Sequence, residues 1–179
     1  MVDRISRAQM FMEMARTASK RSTCFRLNVG AIITQENNPI AVGWNGQEAG
    51  AEHCLGNSCP GVTPGNCGTI HAEVNALTKA AKILGGASLS IKSKLVDLYC
   101  TDSPCPPCVD FIIQNSALRV ARIFYEKPYR LAEHLDKLRE YADNAWPHRV
   151  DIVRSTEVYL VTPAGYTVDH FTHRVVELP

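Results

Sequence analysis

Two short motifs in this sequence gather residue types that can hold a metal ion and move protons beside it: His71-Ala72-Glu73 and Pro104-Cys105-Pro106-Pro107-Cys108. Each is expected to open a helix. Val74, Leu77, Ala81 and Leu84 form one apolar stripe after His71, and prolines suit a first helical turn. Cys105 and Cys108 lie three positions apart, so both sulfurs can face one point. Helix N-termini carry partial positive charge, which favours the thiolates that zinc requires. One His and two Cys leave the fourth tetrahedral position to water, as an open catalytic zinc site needs. Zinc lowers the pKa of such a water from about 15.7 towards about 7, making hydroxide available at neutral pH. Glu73, two residues beyond His71, is near the metal without binding it and can shuttle protons.

Taken singly, the motifs are weak. His-x-Glu is common by chance, and Cys-x-x-Cys also fits a redox pair or half of a structural zinc site. Together, in this order and each opening a helix, they are specific. Five of the seven cysteines remain. Cys24, Cys54, Cys59 and Cys67 lie in or beside the stretch 46–68, which is rich in Gly, Pro, Asn and Cys and has little periodicity. So long a loop needs a staple, and four thiols fit a closed tetrahedral zinc site, with His53 able to replace one of them. The other reading is a set of reduced, partly buried thiols. Cys100, within an apolar strand, reads as a small buried hydrophobe.

The elements that must position these groups follow from periodicity. Ala8, Phe11, Met12 and Ala15 predict an opening helix within 2–20. Segments 29–34 and 40–44 read as a hairpin, turned by Glu36-Asn37-Asn38-Pro39. Helices are expected over 71–84 (stopped by Gly85-Gly86), 106–116 and 129–142, and strands over 95–101, 119–125, 150–153 and 158–161. A hairpin followed by alternating strands and helices implies an α/β sandwich with a mixed sheet. The 179 residues suit a single domain, 1–179, with 45% hydrophobic and 21% charged residues. A net charge of +1, with both signs interleaved, disfavours a nucleic-acid partner and points to a small substrate. With no membrane-length apolar run and no signal-peptide pattern, a cytoplasmic location is expected. Disulfides are rare there, so metal binding is the leading reading of the cysteines.

From Arg21 to about Tyr129 the sequence resembles the deoxycytidylate deaminases of the cytidine deaminase superfamily. The resemblance is carried by Arg21-Ser22-Thr23-Cys24-Phe25-Arg26, Val29-Gly30-Ala31, Gly43-Trp44-Asn45-Gly46, His53-Cys54, His71 to Leu77, and Leu98 to Thr101 leading into the Pro-Cys motif. H-x-E with P-C-x-x-C is the known signature of zinc nucleobase deaminases. The resemblance implies a three-layer α/β/α sandwich with a mixed five-stranded sheet. It also implies hydrolytic deamination of deoxycytidine monophosphate (dCMP) to deoxyuridine monophosphate (dUMP) and ammonia by zinc-activated hydroxide. His71, Cys105 and Cys108 would then be the ligands, and Glu73 would pass protons to the ring nitrogen and the departing ammonia. Asn45 resembles a residue that hydrogen-bonds the sugar, and Arg26 a phosphate contact, for which guanidinium is well suited. Tyr129 would line the pocket, and Ala72 and Ser103, inside and beside the two motifs, join the substrate-binding set. Some members carry a second zinc, with ligands at positions resembling Cys24 and Cys54.

Family members often form hexamers, activated by dCTP and inhibited by dTTP. Here Trp44 stands where a Tyr is usual, and Gln47-Glu48 replaces a Pro-containing continuation. Glu48 adds negative charge where effector phosphates would sit, which puts such control in question. Rival readings are a tRNA adenosine or other polynucleotide deaminase, and a non-catalytic zinc module that binds nucleotides. Asn75, the Ser22-to-Arg26 segment and the weak net charge oppose the first, and Glu73 opposes the second. The triphosphate and 5-substituted monophosphates stay open as substrates, and the tail beyond Ala142 matches no pattern.

Overall fold

The computed structural model describes residues 5–54, 68–85, 95–115 and 117–129, and the backbone of three later strands. Helix α1 (Arg7–Ser19) opens with a capping box. The Ser6 hydroxyl accepts from the Gln9 N–H, and the Ser6 N–H donates to the Gln9 side chain. Its apolar period buries Phe11, Met12, Ala15 and Ala18 on one face. Strands β1 (Gly30–Gln35) and β2 (Asn38–Trp44) pair antiparallel, as the turn chemistry predicts. The turn itself is tighter than 36–39: Glu36 and Asn37 both take positive φ, 50° and 64°, matching the twist of a two-residue hairpin. Pro39 therefore lies inside β2, tolerated because β2 is the outermost strand.

Helix α2 (Ala72–Leu84), strand β3 (Leu95–Asp102), helix α3 (Pro106–Gln114) and strand β4 (Arg119–Lys127) follow the expected order. Strand β5 (Asp151–Arg154) lies parallel to β4. The sheet runs β2-β1-β3-β4-β5; β2, β1 and β3 are antiparallel neighbours, while β3, β4 and β5 run parallel. It is a mixed sheet. The expected helix over 129–142 and strand over 158–161 lie outside the described residues. A separate antiparallel pair, β6 (Tyr166–Asp169) and β7 (Arg174–Glu177), was not expected. Four residues complete only two alternations, too few for a periodic signal.

Alternation along the central strands divides the core into two layers. Ile32, Tyr99 and Phe124 face α1 and pack with Phe11, Met12, Ala15 and Ala18. Tyr99 stacks on Phe124 at 4.3 Å between ring centroids, and Phe11 meets Tyr99 at 5.1 Å, tilted by 54°. On the other face Ala31, Ile33, Leu98, Cys100, Ile123 and Tyr125 pack with Ala72, Ala76, Leu77 and Ala80 of α2 and Val109 and Ile112 of α3. Cys100 is thus a fully buried core residue. This gives the α/β/α layering: among the described residues α1 covers one face and α2 and α3 the other. Among the described residues no helix is long and apolar enough to cross a membrane.

Phe11 is the largest side chain that α1 buries against the sheet, and it is 1% exposed. Phe11→Ala is expected to lower the unfolding free energy by about 3–5 kcal/mol, because the aromatic layer cannot close over the cavity. Thr17→Ala, on the exposed side of the same helix, should change it by less than about 0.5 kcal/mol. Denaturant unfolding of both variants checks this.

Candidate active site

The two motif residues His71 and Cys105 are the N-caps of α2 and α3, both in extended backbone. An N-cap side chain usually bonds back to the first turn's amides. Here neither does, so both side chains are released to point off the helix ends. Pro106 and Pro107 fill the first positions of α3, where their missing N–H leaves nothing unsatisfied. The two helix N-termini therefore meet at one place, at the end of β3.

There His71 Nδ1 lies 3.1 Å from Cys105 Sγ and 3.2 Å from Cys108 Sγ, and the two sulfurs are 3.5 Å apart. These three atoms form the one cluster among the described residues whose geometry suits a metal ion. Zinc bonds of about 2.3 Å to sulfur and about 2.0–2.1 Å to nitrogen set tetrahedral ligand atoms about 3.5–3.8 Å apart. An ion at the centre requires a spread of only a few tenths of an ångström. The electrostatics demand a cation as well. Hydrogen bonding from Cys108 and from His71 draws the Cys105 thiol down to about 4, against the cost of its burial. The same contact with Cys105, and burial, push Cys108 up. On their own the pair keeps one proton; both become thiolates only with positive charge between them. The donor set fits zinc.

Glu73 sits in the first turn of α2 and is 4% exposed. Burial, aided by the nearby charge of Cys105, pushes its carboxyl up to about 7, against bonds to the Glu73 backbone and to Cys108. It is thus poised to gain or lose a proton near neutral pH.

The other sequence-derived residues fall into three groups. Ala72 is buried at the start of α2, and β2 touches it directly: a Cβ at Gly43 would lie 2.4 Å from the Ala72 carbonyl oxygen. Ser103 and Tyr129 are brought together, since the buried Ser103 hydroxyl accepts from the Tyr129 N–H at 2.8 Å. Asn45 is buried, and its amide is largely occupied. Its Oδ1 accepts from the Val29 N–H at 2.8 Å and its Nδ2 donates to the Leu27 carbonyl at 2.6 Å. One N–H and one lone pair remain for a ligand. Arg26, between the exposed Phe25 and Leu27, is itself exposed.

Cys24 and Cys54 are half-buried and unbridged, and Cys59 and Cys67 lie outside the described residues. Thr23 is part of the family-like segment 21–26, but its role as a tie to Asn45 and Gln47 is marked by tertiary contact alone. Its N–H donates to the Asn45 carbonyl at 3.3 Å, and its hydroxyl accepts from the Gln47 N–H at 3.2 Å. Trp44, the substituted position, lies beneath two cations, with the Lys79 ammonium 4.5 Å and the Arg21 guanidinium 5.7 Å from its ring.

Residues 5–126 match the profile of the cytidine and deoxycytidylate deaminase zinc-binding region. The chain is 33% identical over 141 residues to ComE operon protein 2 of Bacillus subtilis, covering 79% of this chain and 70% of that one. It is 34% identical over 140 residues to the deoxycytidylate deaminase of Schizosaccharomyces pombe, covering 74% of this chain but only 40% of the yeast protein. A crystal structure of dCMP deaminase from the cyanophage S-TIM5, in complex with dCMP and dUMP, superposes with a TM-score of 0.61. That match has 31% identity and covers 81% of this chain and 95% of the phage protein. With the signature residues converging as they do, the chain belongs to the cytidine and deoxycytidylate deaminase family.

Proposed function

We propose that this protein hydrolyses dCMP to dUMP and ammonia. The observation that carries the reading is the convergence of His71, Cys105 and Cys108 beside the buried carboxyl of Glu73. The phage relative crystallised with dCMP and dUMP supports the choice of substrate. When bound by His71, Cys105 and Cys108, zinc supplies a Lewis acid that brings water within reach of deprotonation at neutral pH. Glu73 takes a proton from the attacking water and returns protons to the ring nitrogen and the departing amine. Burial suits it to both tasks, since a group near pKa 7 accepts and donates with little penalty.

The partly occupied amide of Asn45 holds the sugar, and Arg26 reaches the 5′-phosphate from the open side. Ala72, Ser103 and Tyr129 complete the pocket around the base. A net charge of +1 gives no basic excess of the kind a polynucleotide partner calls for, which favours a free nucleotide over tRNA. A homo-oligomer (hexameric by resemblance) and a cytoplasmic location belong to the same proposal. Control by dCTP and dTTP rests on resemblance alone, and the negative charge of Glu48 stands against carrying it over.

A second, structural zinc bound by Cys24, Cys54, Cys59 and Cys67 is also proposed. Thr23 accepts from the Gln47 N–H, and the Gln47 side-chain amide contacts Cys54 Sγ at 3.6 Å. The neighbours of Cys24 and the sulfur of Cys54 are thereby linked, next to Asn45.

Glu73→Gln is expected to retain zinc and fold while losing at least about 10²–10⁴-fold in turnover. His71→Ala and Cys105→Ala should lose the catalytic zinc and activity together. Ammonia release and metal analysis on the same preparations test both; a zinc-loaded Glu73→Gln enzyme of normal turnover would refute the mechanism. Across cytidine and deoxycytidine nucleotides and adenosine-containing tRNA, dCMP should be the best substrate. Deoxycytidine should lose about 10–100-fold in kcat/KM, the scale of one charge-assisted contact. Metal analysis should also give two zincs per chain, falling to one in Cys59→Ser. That variant is expected to melt earlier and bind substrate more weakly, yet still turn over at saturation. One zinc in the parent protein would remove the structural site.

A further inference from the structure

We propose that Asn75 is a positioning residue for the reaction, holding the end of β2, and with it Asn45, against the helix that carries His71 and Glu73. This role rests on the reading of Asn45 as a substrate contact. Asn75 lies one turn beyond His71, its N–H donating to the His71 carbonyl at 2.9 Å. Its side-chain Nδ2 donates to the carbonyl of Trp44 at 3.0 Å. Trp44 is the last residue of β2, and Asn45 comes next.

The strand needs this hold because of its place in the sheet. β2 is the outer strand. The Asn45 N–H donates inward to the Val29 carbonyl, so by antiparallel alternation the carbonyls of Val42 and Trp44 face away from β1. Among the described residues no strand takes them, and α2 does. Lys79, one turn beyond Asn75, donates from Nζ to the Val42 carbonyl at 3.1 Å and sets its ammonium over the Trp44 ring. Between these two bonds, Gly43 lets the backbones close to a separation that a Cβ would forbid. An added Cβ would lie 2.4 Å from Ala72 O and 2.6 Å from Ala76 N. Residues 42–44 are thus fixed to the first two turns of α2 by two side-chain donors and one steric contact. Asn45 is tied to the β1 side through its own amide and to the catalytic helix through Asn75. The zinc ligands and Glu73 are held by the helices themselves, so losing Asn75 should loosen substrate without disturbing the reacting groups.

Steady-state kinetics on dCMP with zinc-loaded protein test this, comparing the parent chain with Asn75→Ala, Asn75→Asp and Asn45→Ala. Asn75→Asp keeps the shape and removes the donor, so it separates the hydrogen bond from the volume. Both Asn75 variants are expected to raise KM about tenfold, the scale of one lost hydrogen bond. Their kcat should stay within about threefold and their zinc content should not change. A kcat that falls in step with zinc content, or an unchanged KM in both, overturns the assignment. Should the Asn75 variants fail to fold, Lys79→Met keeps the stem over Trp44 and loses the second donor. It is expected to raise KM about threefold, and an unchanged KM there overturns the clamp. Asn45→Ala separates the two levels. A raised KM there beside unaffected Asn75 variants defeats this inference alone, whereas an unchanged KM in Asn45→Ala defeats the substrate contact on which it rests.

Discussion

Two sulfur atoms 3.5 Å apart in a buried pocket cannot both carry negative charge without a cation between them, and much of the surrounding structure follows from that repulsion. The fold answers it with fixed positive potential before any ion arrives. Both α2 and α3 present their N-termini to the sulfurs, and each contributes partial positive charge at close range. The same potential favours ionisation of Glu73 and so opposes its burial, which pushes the carboxyl up to about 7, within reach of proton exchange at neutral pH. Zinc completes a field that the backbone has already oriented.

Orienting two helix ends towards one point is a task for the sheet. α3 leaves directly from the end of β3, so its place follows from one strand and a three-residue junction. α2 has no such attachment, because residues separate it from β2 on one side and β3 on the other. It is located by packing: Ala72, Ala76, Leu77 and Ala80 lie against β1 and β2. Three of these four are alanines, so the helix sits close to the strands. Gly43 takes this to its limit by removing the strand's own Cβ. Gly30 does the same on the opposite face, where a Cβ would lie 2.0 Å from the Ala15 carbonyl oxygen of α1. Small residues at these crossings fix the distances on which the ligand geometry depends. Methylene-sized errors there are not absorbed by a close-packed interior.

Much of this was legible in the sequence, for identifiable reasons. The helices over 7–19, 72–84 and 106–114 carry clear apolar periods, and the chemistry of the ligand motifs follows from residue type and spacing. The hairpin register was less legible, because a turn at Glu36-Asn37 asks a glutamate to adopt positive φ, a conformation that composition does not advertise. Asn45 shows the deeper limit. Its sequence context marks a turn and the family resemblance implies a ligand contact, but only the fold reveals that its amide stitches Leu27 and Val29 to the strand end. Thr23, Asn75 and Lys79 act through contacts more than twenty positions away in sequence, and no periodic pattern encodes such partners.

The sites where local preference is overridden are also informative. His71 and Cys105 occupy N-cap positions that Ser, Thr, Asp or Asn would fill more favourably, by about 1 kcal/mol each. A capping side chain would turn back onto its own helix and leave the point between the helices empty. α1, which carries no proposed ligand, keeps the full capping box at Ser6 and Gln9. Two helices of equal length, α1 and α2, thus begin by opposite rules. The difference lies in what their N-cap side chains bond: Ser6 turns back to Gln9 of its own helix, whereas His71 meets two sulfurs from another segment. Local rules give way where a side chain is needed for another task. By that criterion, without reference to any relative, the mouth between α2 and α3 is a place where this fold departs from its own stability optimum.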